Sequence, residues 1–140
     1  MSIILSTDID ATPEELFEIL TTTKGQASFW TSDCDVDPAK ARFGFAAAPV
    51  DLECSVTSET GRLAAFTIDS GFPFWNGSRF SWELGPAARQ ETGTNVLFRH
   101  EGFEDRYADQ DVGFTAFTWA LVLNALKAHA ETGEVAPALG

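Results

Sequence analysis

Phe80-Ser81-Trp82-Glu83-Leu84, then Thr94-Asn95-Val96-Leu97-Phe98-Arg99-His100-Glu101, then Trp119-Ala120-Leu121-Val122-Leu123 with Leu126-Lys127 decide the fold. In the first two stretches large apolar residues alternate with polar ones, the period of a half-buried strand. Gly85-Pro86 and the polar residues up to Gly93 link them as a turn. In the third stretch Trp119, Val122, Leu123 and Leu126 recur at helical spacing, and Phe114, Phe117 and Leu121 widen the stripe. Two aromatic strands followed by a long apolar helix predict a curved sheet wrapped around that helix, with room for an apolar cavity between them.

Working outward, Ile3, Leu5, Thr7 and Ile9 alternate as a first strand over residues 3–10. Thr12, Pro13 and Glu15 form a helix start: an N-cap, a proline at the first helical position and a capping-box glutamate. Leu16, Phe17, Ile19 and Leu20 supply its apolar stripe. Gly25 interrupts the pattern, with one further short turn over 26–30. Phe43 and Phe45 alternate around Gly44, and Leu52, Cys54 and Val56 alternate with Asp51, Glu53 and Ser55. Gly61 marks a turn before a strand over 63–68, and residues 71–77 read as a loop carrying Phe72, Phe74 and Trp75. The last helix spans about 109–131 with Gly133 as its cap, although the irregular stretch 109–114 allows a start as late as Phe114. Consecutive strands with short polar links form an antiparallel meander, and segregated helices on it make an α+β domain.

The 140 residues suit one domain covering 1–140. The formal net charge of −12 and the lack of a basic stripe argue against nucleic acid and anionic membranes. There is no basic, apolar leader and no segment long enough to span a bilayer, so the expected compartment is the cytoplasm. Cys34, in an acidic loop, and Cys54, a strand thiol, do not suggest a disulfide. The 12 Phe and 4 Trp against 1 Tyr demand a thick core or a lined pocket.

Metal and cofactor motifs are missing from the sequence. Asp33, Asp35 and Asp37 imitate the start of a calcium loop, but Pro38 and Gly44 stand where the turn glycine and closing glutamate belong. Cys34, Cys54, His100 and His129 lack zinc spacing. Arg79, Arg99 and Arg106 could each fix an acidic ligand group, though Arg79 and Arg99 are out of phase with the inward rings. Trp30 and Trp75 sit at loops, where an indole guards an entrance or plugs the end of a sheet.

The order of elements, with the phrases Ile9-Asp10-Ala11-Thr12-Pro13-Glu14-Glu15-Leu16, Trp75-Asn76-Gly77-Ser78-Arg79-Phe80, Thr94 to Phe103, and Trp119 to Gly133, resembles the START-like (SRPBCC) superfamily. Within it the chain is similar to the bacterial relatives of the activator of the ninety-kilodalton heat-shock chaperone's ATPase. The resemblance implies a helix-grip fold, with six or seven strands gripping the C-terminal helix over a cavity. It also implies a range of roles, from lipid carriers to polyketide cyclases and aromatases, so fold alone does not name the activity.

The candidate cavity lining is Trp30, Phe45, Phe66, Trp75, Phe80, Trp82, Phe98, His100, Phe103, Phe117, Trp119 and Leu123. The favoured function is binding of a small apolar or aromatic molecule there. One alternative is a cyclase, aromatase or hydrolase with His100 as acid or base; the bland reading of His100 is a buried, hydrogen-bonded strand residue. A second is a chaperone-interaction module, by analogy only. A homodimer through a strand edge or loop aromatics is a further expectation.

Overall fold

The computed structural model describes residues 2–103 and 109–139; Arg106 lies outside them. The chain runs β1 (Ser2–Ile9), α1 (Pro13–Thr21), α2 (Thr23–Phe29), β2 (Asp33–Val36), β3 (Lys40–Gly44), β4 (Leu52–Glu59), β5 (Leu63–Ser70), β6 (Arg79–Pro86), β7 (Thr94–Glu101) and α3 (Asp109–Thr132). All strand pairings are antiparallel, and the seven-stranded order is β1-β7-β6-β5-β4-β3-β2. The meander therefore runs from β2 to β7 by adjacent hairpins, and β1 closes onto β7. This is the α+β helix-grip arrangement, with α3 against the inner face of the sheet.

The inner face follows from strand parity. On β6 and β7 the pairs Phe80↔His100, Trp82↔Phe98 and Leu84↔Val96 are all buried. Directly opposed residues share a face, so each pair places two large side chains toward α3. Trp119, Val122, Leu123 and Leu126 meet them from the helix side and are themselves buried. A register shift between Glu53 and Cys54 interrupts the β4–β5 ladder, and a bulge of this kind bends a sheet.

The structure departs from two local expectations and settles the start of the last helix. The acidic segment at Asp33–Val36 is a strand, not a loop: Cys34 is buried while Asp33 and Asp35 point to solvent. What makes that strand tolerable is Arg42 on the neighbouring β3. Its guanidinium bonds Asp33 at 2.8 Å, Asp35 at 2.9 Å and Asp51 at 3.2 Å, relieving repulsion among the carboxylates. The long helix begins at Asp109, so the late start near Phe114 is not used. Phe45 lies beyond the end of β3 rather than within a strand.

Gly25 is inside α2 rather than a break in the helix. The reason is steric. A Cβ there would lie 2.0 Å from the Ile19 carbonyl oxygen, so α2 can approach α1 this closely only with glycine. Gly25→Ala must force the two helices apart, at a cost of about 1–3 kcal/mol from overpacking. Urea unfolding of the variant measures that loss; an unchanged midpoint would refute the close approach.

The end of α2 is finished by the C-terminal tail. The last carbonyls of a helix have no partner within it. Here Ser28 and Phe29 accept from the backbone N–H groups of Ala136 and Ala138, and Trp30 accepts from Leu139. The opposite edge of the sheet is tied by Asp8. Its carboxylate accepts the N–H groups of Ala88, Arg89 and Gln90 at 2.6–2.9 Å and the Asn95 amide at 3.0 Å. Those hydrogen bonds hold its pKa far below the usual carboxylate range. No helix among the described residues is long and apolar enough to cross a membrane.

Candidate functional site

The space between sheet and α3 is filled by rings. Trp119 has ring centroids of Phe98 at 4.5 Å, Trp30 and Phe80 at 5.0 Å, Trp75 at 5.7 Å and Trp82 at 6.1 Å. Phe66 stacks on Phe80 at 5.0 Å. Aromatic pairs at these separations pack as an interlocked core. Of the predicted lining residues, Trp30, Phe66, Phe80, Trp82, Phe98, His100, Phe103, Trp119 and Leu123 are all buried in this cluster. Phe117 departs from the set: it is 64% exposed, on the outer face of α3. Helical geometry explains this, because Trp119 and Val122 take the inward stripe and Phe117 falls outside it.

The opening lies at one end of the sheet. A cleft of about 320 Å³ is walled by Phe45, Ala47 and Ala48 from the β3–β4 link and by Phe72, Phe74 and Trp75 from the β5–β6 link. Phe114, Thr115 and Thr118 of α3 and Leu139 of the tail complete it. Among the described residues, no charged side chain lines it. The two threonine hydroxyls donate to α3's own carbonyls, Thr115 to Asp111 at 2.9 Å and Thr118 to Phe114 at 3.0 Å. With both hydroxyls committed, the walls present almost wholly apolar surface. A volume of this order is at the lower end of small-molecule sites, about 300–1,000 Å³.

Only Phe45 and Trp75 of the predicted set reach this cleft. The others missed there are Ala47, Ala48, Phe72, Phe74, Phe114, Thr115, Thr118 and Leu139. One signal was present in the sequence: three rings in a seven-residue loop bounded by Gly71 and Gly77. The loop is tightly folded. Trp75 and Asn76 donate their N–H groups to the Phe72 carbonyl, and Gly77 donates to Ile68 with φ at +82°, a conformation glycine adopts without strain. Phe72 and Phe74 meet Trp75 edge-on at 5.3 and 5.8 Å.

His100 supports that loop from behind. It is fully buried, and both ring nitrogens are engaged. The Trp119 indole N–H donates to Nδ1 at 3.0 Å, so Nδ1 is an acceptor and the proton sits on Nε2. Nε2–H then donates to Ser78 Oγ at 2.7 Å, and Ser78 donates to the Trp75 carbonyl at 2.5 Å. A continuous chain of hydrogen bonds thus runs from α3 through the sheet to the loop that walls the cleft. Burial pushes the pKa of His100 down to about 3, so the ring is neutral at physiological pH. The indole N–H groups of Trp30, Trp75 and Trp82 reach no acceptor among the described residues.

The thiols are unsuited to nucleophilic work. Burial raises Cys54 to about 12 and Cys34 above its usual value, and the thiolate is the reactive form. Both are free of disulfides.

No protein-family model matches the chain, and no curated protein matches it. Solved structures do. The Aha1 dimer from Colwellia psychrerythraea, determined in solution, is 25% identical with a TM-score of 0.79, over 95% of this chain and 98% of that one. A Mesorhizobium loti protein is 19% identical with a TM-score of 0.76, over 91% and 94% of the two chains. DynU16, from the dynemicin biosynthetic locus, is 17% identical with a TM-score of 0.76; the match covers 96% of this chain and 48% of that one. The fold is that of the START-like superfamily, in the form taken by the Aha1 protein.

Proposed function

We propose that this protein binds a small, uncharged, apolar or aromatic molecule in the cleft at the end of the sheet. The observation that carries the reading is the wall itself: five aromatic rings, from Phe45, Phe72, Phe74, Trp75 and Phe114, converge with no charged group among the described residues. Burial of apolar surface supplies the affinity, and the Ser78–His100–Trp119 chain keeps one wall rigid. The net charge of −12 disfavours anionic ligands. The enzymatic alternative is less favoured, because His100 is buried with both nitrogens hydrogen-bonded and is not among the residues that wall the cleft.

Native mass spectrometry of freshly purified protein, beside an organic extract of the same sample, tests the reading. The expected result is an excess mass that disappears on denaturation. Ala48→Trp and, separately, Thr118→Trp fill the cleft and are expected to lower occupancy at least tenfold while leaving the melting curve near wild type. A ligand retained at full occupancy in both variants would exclude this cleft.

A protein-interaction role rests on a different observation. Phe117 and Leu121 of α3 are 64% and 45% exposed, and an exposed apolar patch marks a contact surface. A chaperone partner remains an analogy with the Aha1 name. Likeness to an Aha1 dimer also supports a homodimer. A reducing cytoplasmic setting accords with the two free, buried thiols.

A further inference from the structure

The sheet has two edges, and they differ in how they are finished. An unpaired edge exposes N–H and C=O groups that invite another strand. β2 is only four residues long and carries Asp33 and Asp35. Its outer backbone is also occupied: Val36 N–H donates to Thr23 Oγ1 at 2.9 Å, and the same hydroxyl reaches the Val36 carbonyl at 3.4 Å. That edge is short, negative and covered.

β1 is eight residues long, and its segment 2–7 contains no charge, no proline and no lysine. Strand parity shows which backbone groups are free. Lys127 Nζ donates to the Asp8 carbonyl at 2.7 Å from α3, so Asp8 turns its backbone away from β7. The Thr7 carbonyl instead lies toward Asn95 of β7. In an antiparallel ladder both backbone groups of a residue point to one side, and the sides alternate. Ser2, Ile4 and Ser6 therefore share the orientation of Asp8, and their N–H and C=O groups have no partner among the described residues.

The side chains of this edge are self-complementary. Ser2-Ile3-Ile4-Leu5-Ser6 is nearly symmetric about Ile4. A two-fold interface requires that the same patch complement itself. Antiparallel pairing of two copies about Ile4 puts Ile4 opposite its counterpart and Ser2 opposite Ser6. Each of these outward residues then exchanges both backbone bonds. Ile3 falls opposite Leu5 on the inner face, while Ile4, 55% exposed, gains an apolar neighbour on the outer one. In a chain of net charge −12, an uncharged strand is also where a second copy meets least repulsion.

We propose that two copies of this chain join through β1, antiparallel about Ile4, so that two seven-stranded sheets become one. The proposal specifies the surface for the homodimer reading above and rests on it.

The experiment is light scattering behind size exclusion over a concentration series. Wild type is expected to dimerise. Ile4→Lys, which sets two like charges face to face, is expected to weaken the dimer at least tenfold. Val135→Lys, the same charge change at a position 67% exposed, is expected to leave it intact. Ile4 faces solvent, so circular dichroism melting of the Lys variant should match wild type at concentrations where both are monomeric. In a second arm, Ile4→Cys under mild oxidation is expected to yield a covalent dimer. Opposed hydrogen-bonded residues have Cα atoms about 5.5 Å apart, within disulfide reach. A monomer at every concentration overturns the homodimer and the edge together. A dimer that resists Ile4→Lys but dissociates on Phe117→Lys overturns the edge assignment alone.

Discussion

Between pH 7 and pH 4.5 the folded protein is expected to lose about 2–3 kcal/mol of stability, and His100→Phe is expected to remove most of that dependence. His100 is held neutral, its pKa depressed from 6.5 to about 3 by burial. The unfolded chain binds a proton there as the pH drops below 6.5, and the folded chain does not. Stability is therefore complete above pH 6.5 and falls until the pH reaches the folded value near 3. The carboxylates act later. Asp8, Asp37 and Glu131 are held below their ordinary values by hydrogen bonds. Their contributions are present above about pH 4.5 and are lost on further acidification, once the unfolded carboxylates take protons. The interval from pH 6.5 to 4.5 thus isolates the histidine. Urea unfolding at half-unit pH steps measures the slope. His100→Phe starts lower at pH 7, because the Trp119 N–H is left buried without an acceptor, a cost of about 1–3 kcal/mol. Equal slopes in variant and wild type would show that His100 can be protonated without unfolding, and would return it to consideration as an acid or base.

Trp119→Ala is expected to cost about 4–5 kcal/mol, at the upper end for loss of a buried aromatic side chain. The indole is 1% exposed and touches rings from the C-cap of α2, from β6, from β7 and from the β5–β6 loop. Its removal leaves a void that surrounding rings, fixed on separate strands, cannot close. It also deprives His100 Nδ1 of its donor. Domains of this size have only about 5–15 kcal/mol in total, so the variant should stand near the threshold of folding. Leu121→Ala, two positions along and 45% exposed, is the comparison and should cost under about 1 kcal/mol. Unfolding of both variants by denaturant decides the matter. A dry apolar void of this kind takes up small apolar molecules, so indole added to Trp119→Ala should raise its midpoint. A loss below about 1.5 kcal/mol for Trp119→Ala would mean that the ring cluster repacks freely, contrary to a close-packed interior.

Much of the architecture was legible because period and burial are coupled residue by residue. The alternation of Phe80, Trp82 and Leu84, and of Val96, Phe98 and His100, puts each set on one face whatever surrounds them. Thr12 as a cap is equally local, and its hydroxyl does accept the Glu15 N–H at 3.1 Å. Where reading failed, the deciding partner sat on a neighbouring element, outside the periodic pattern of the segment itself. The strand at Asp33–Val36 depends on Arg42, and the continuity of α2 through Gly25 depends on the backbone of Ile19. The Asp8 anchor depends on a loop about eighty positions away.

The candidate site divides in the same way. Parity alone placed His100 inward, yet nothing in one strand names Ser78 and Trp119 as its partners, because they arrive from β6's approach and from α3. Composition alone demanded that many rings be buried together. Whether they line a space or fill it is a question of summed side-chain volumes against the gap between sheet and helix, which only the assembled layers define. In this protein the rings fill the middle, and the opening moves to the end of the sheet, where two links, α3 and the tail meet. The strands other than Asp33–Val36, the first and last helices, their order and their inward faces were thus determined by the sequence through local periodicity. The location of the cleft, the sealing of His100 and the open edge of β1 were decided by tertiary structure, because each arises from groups that the chain brings together only on folding.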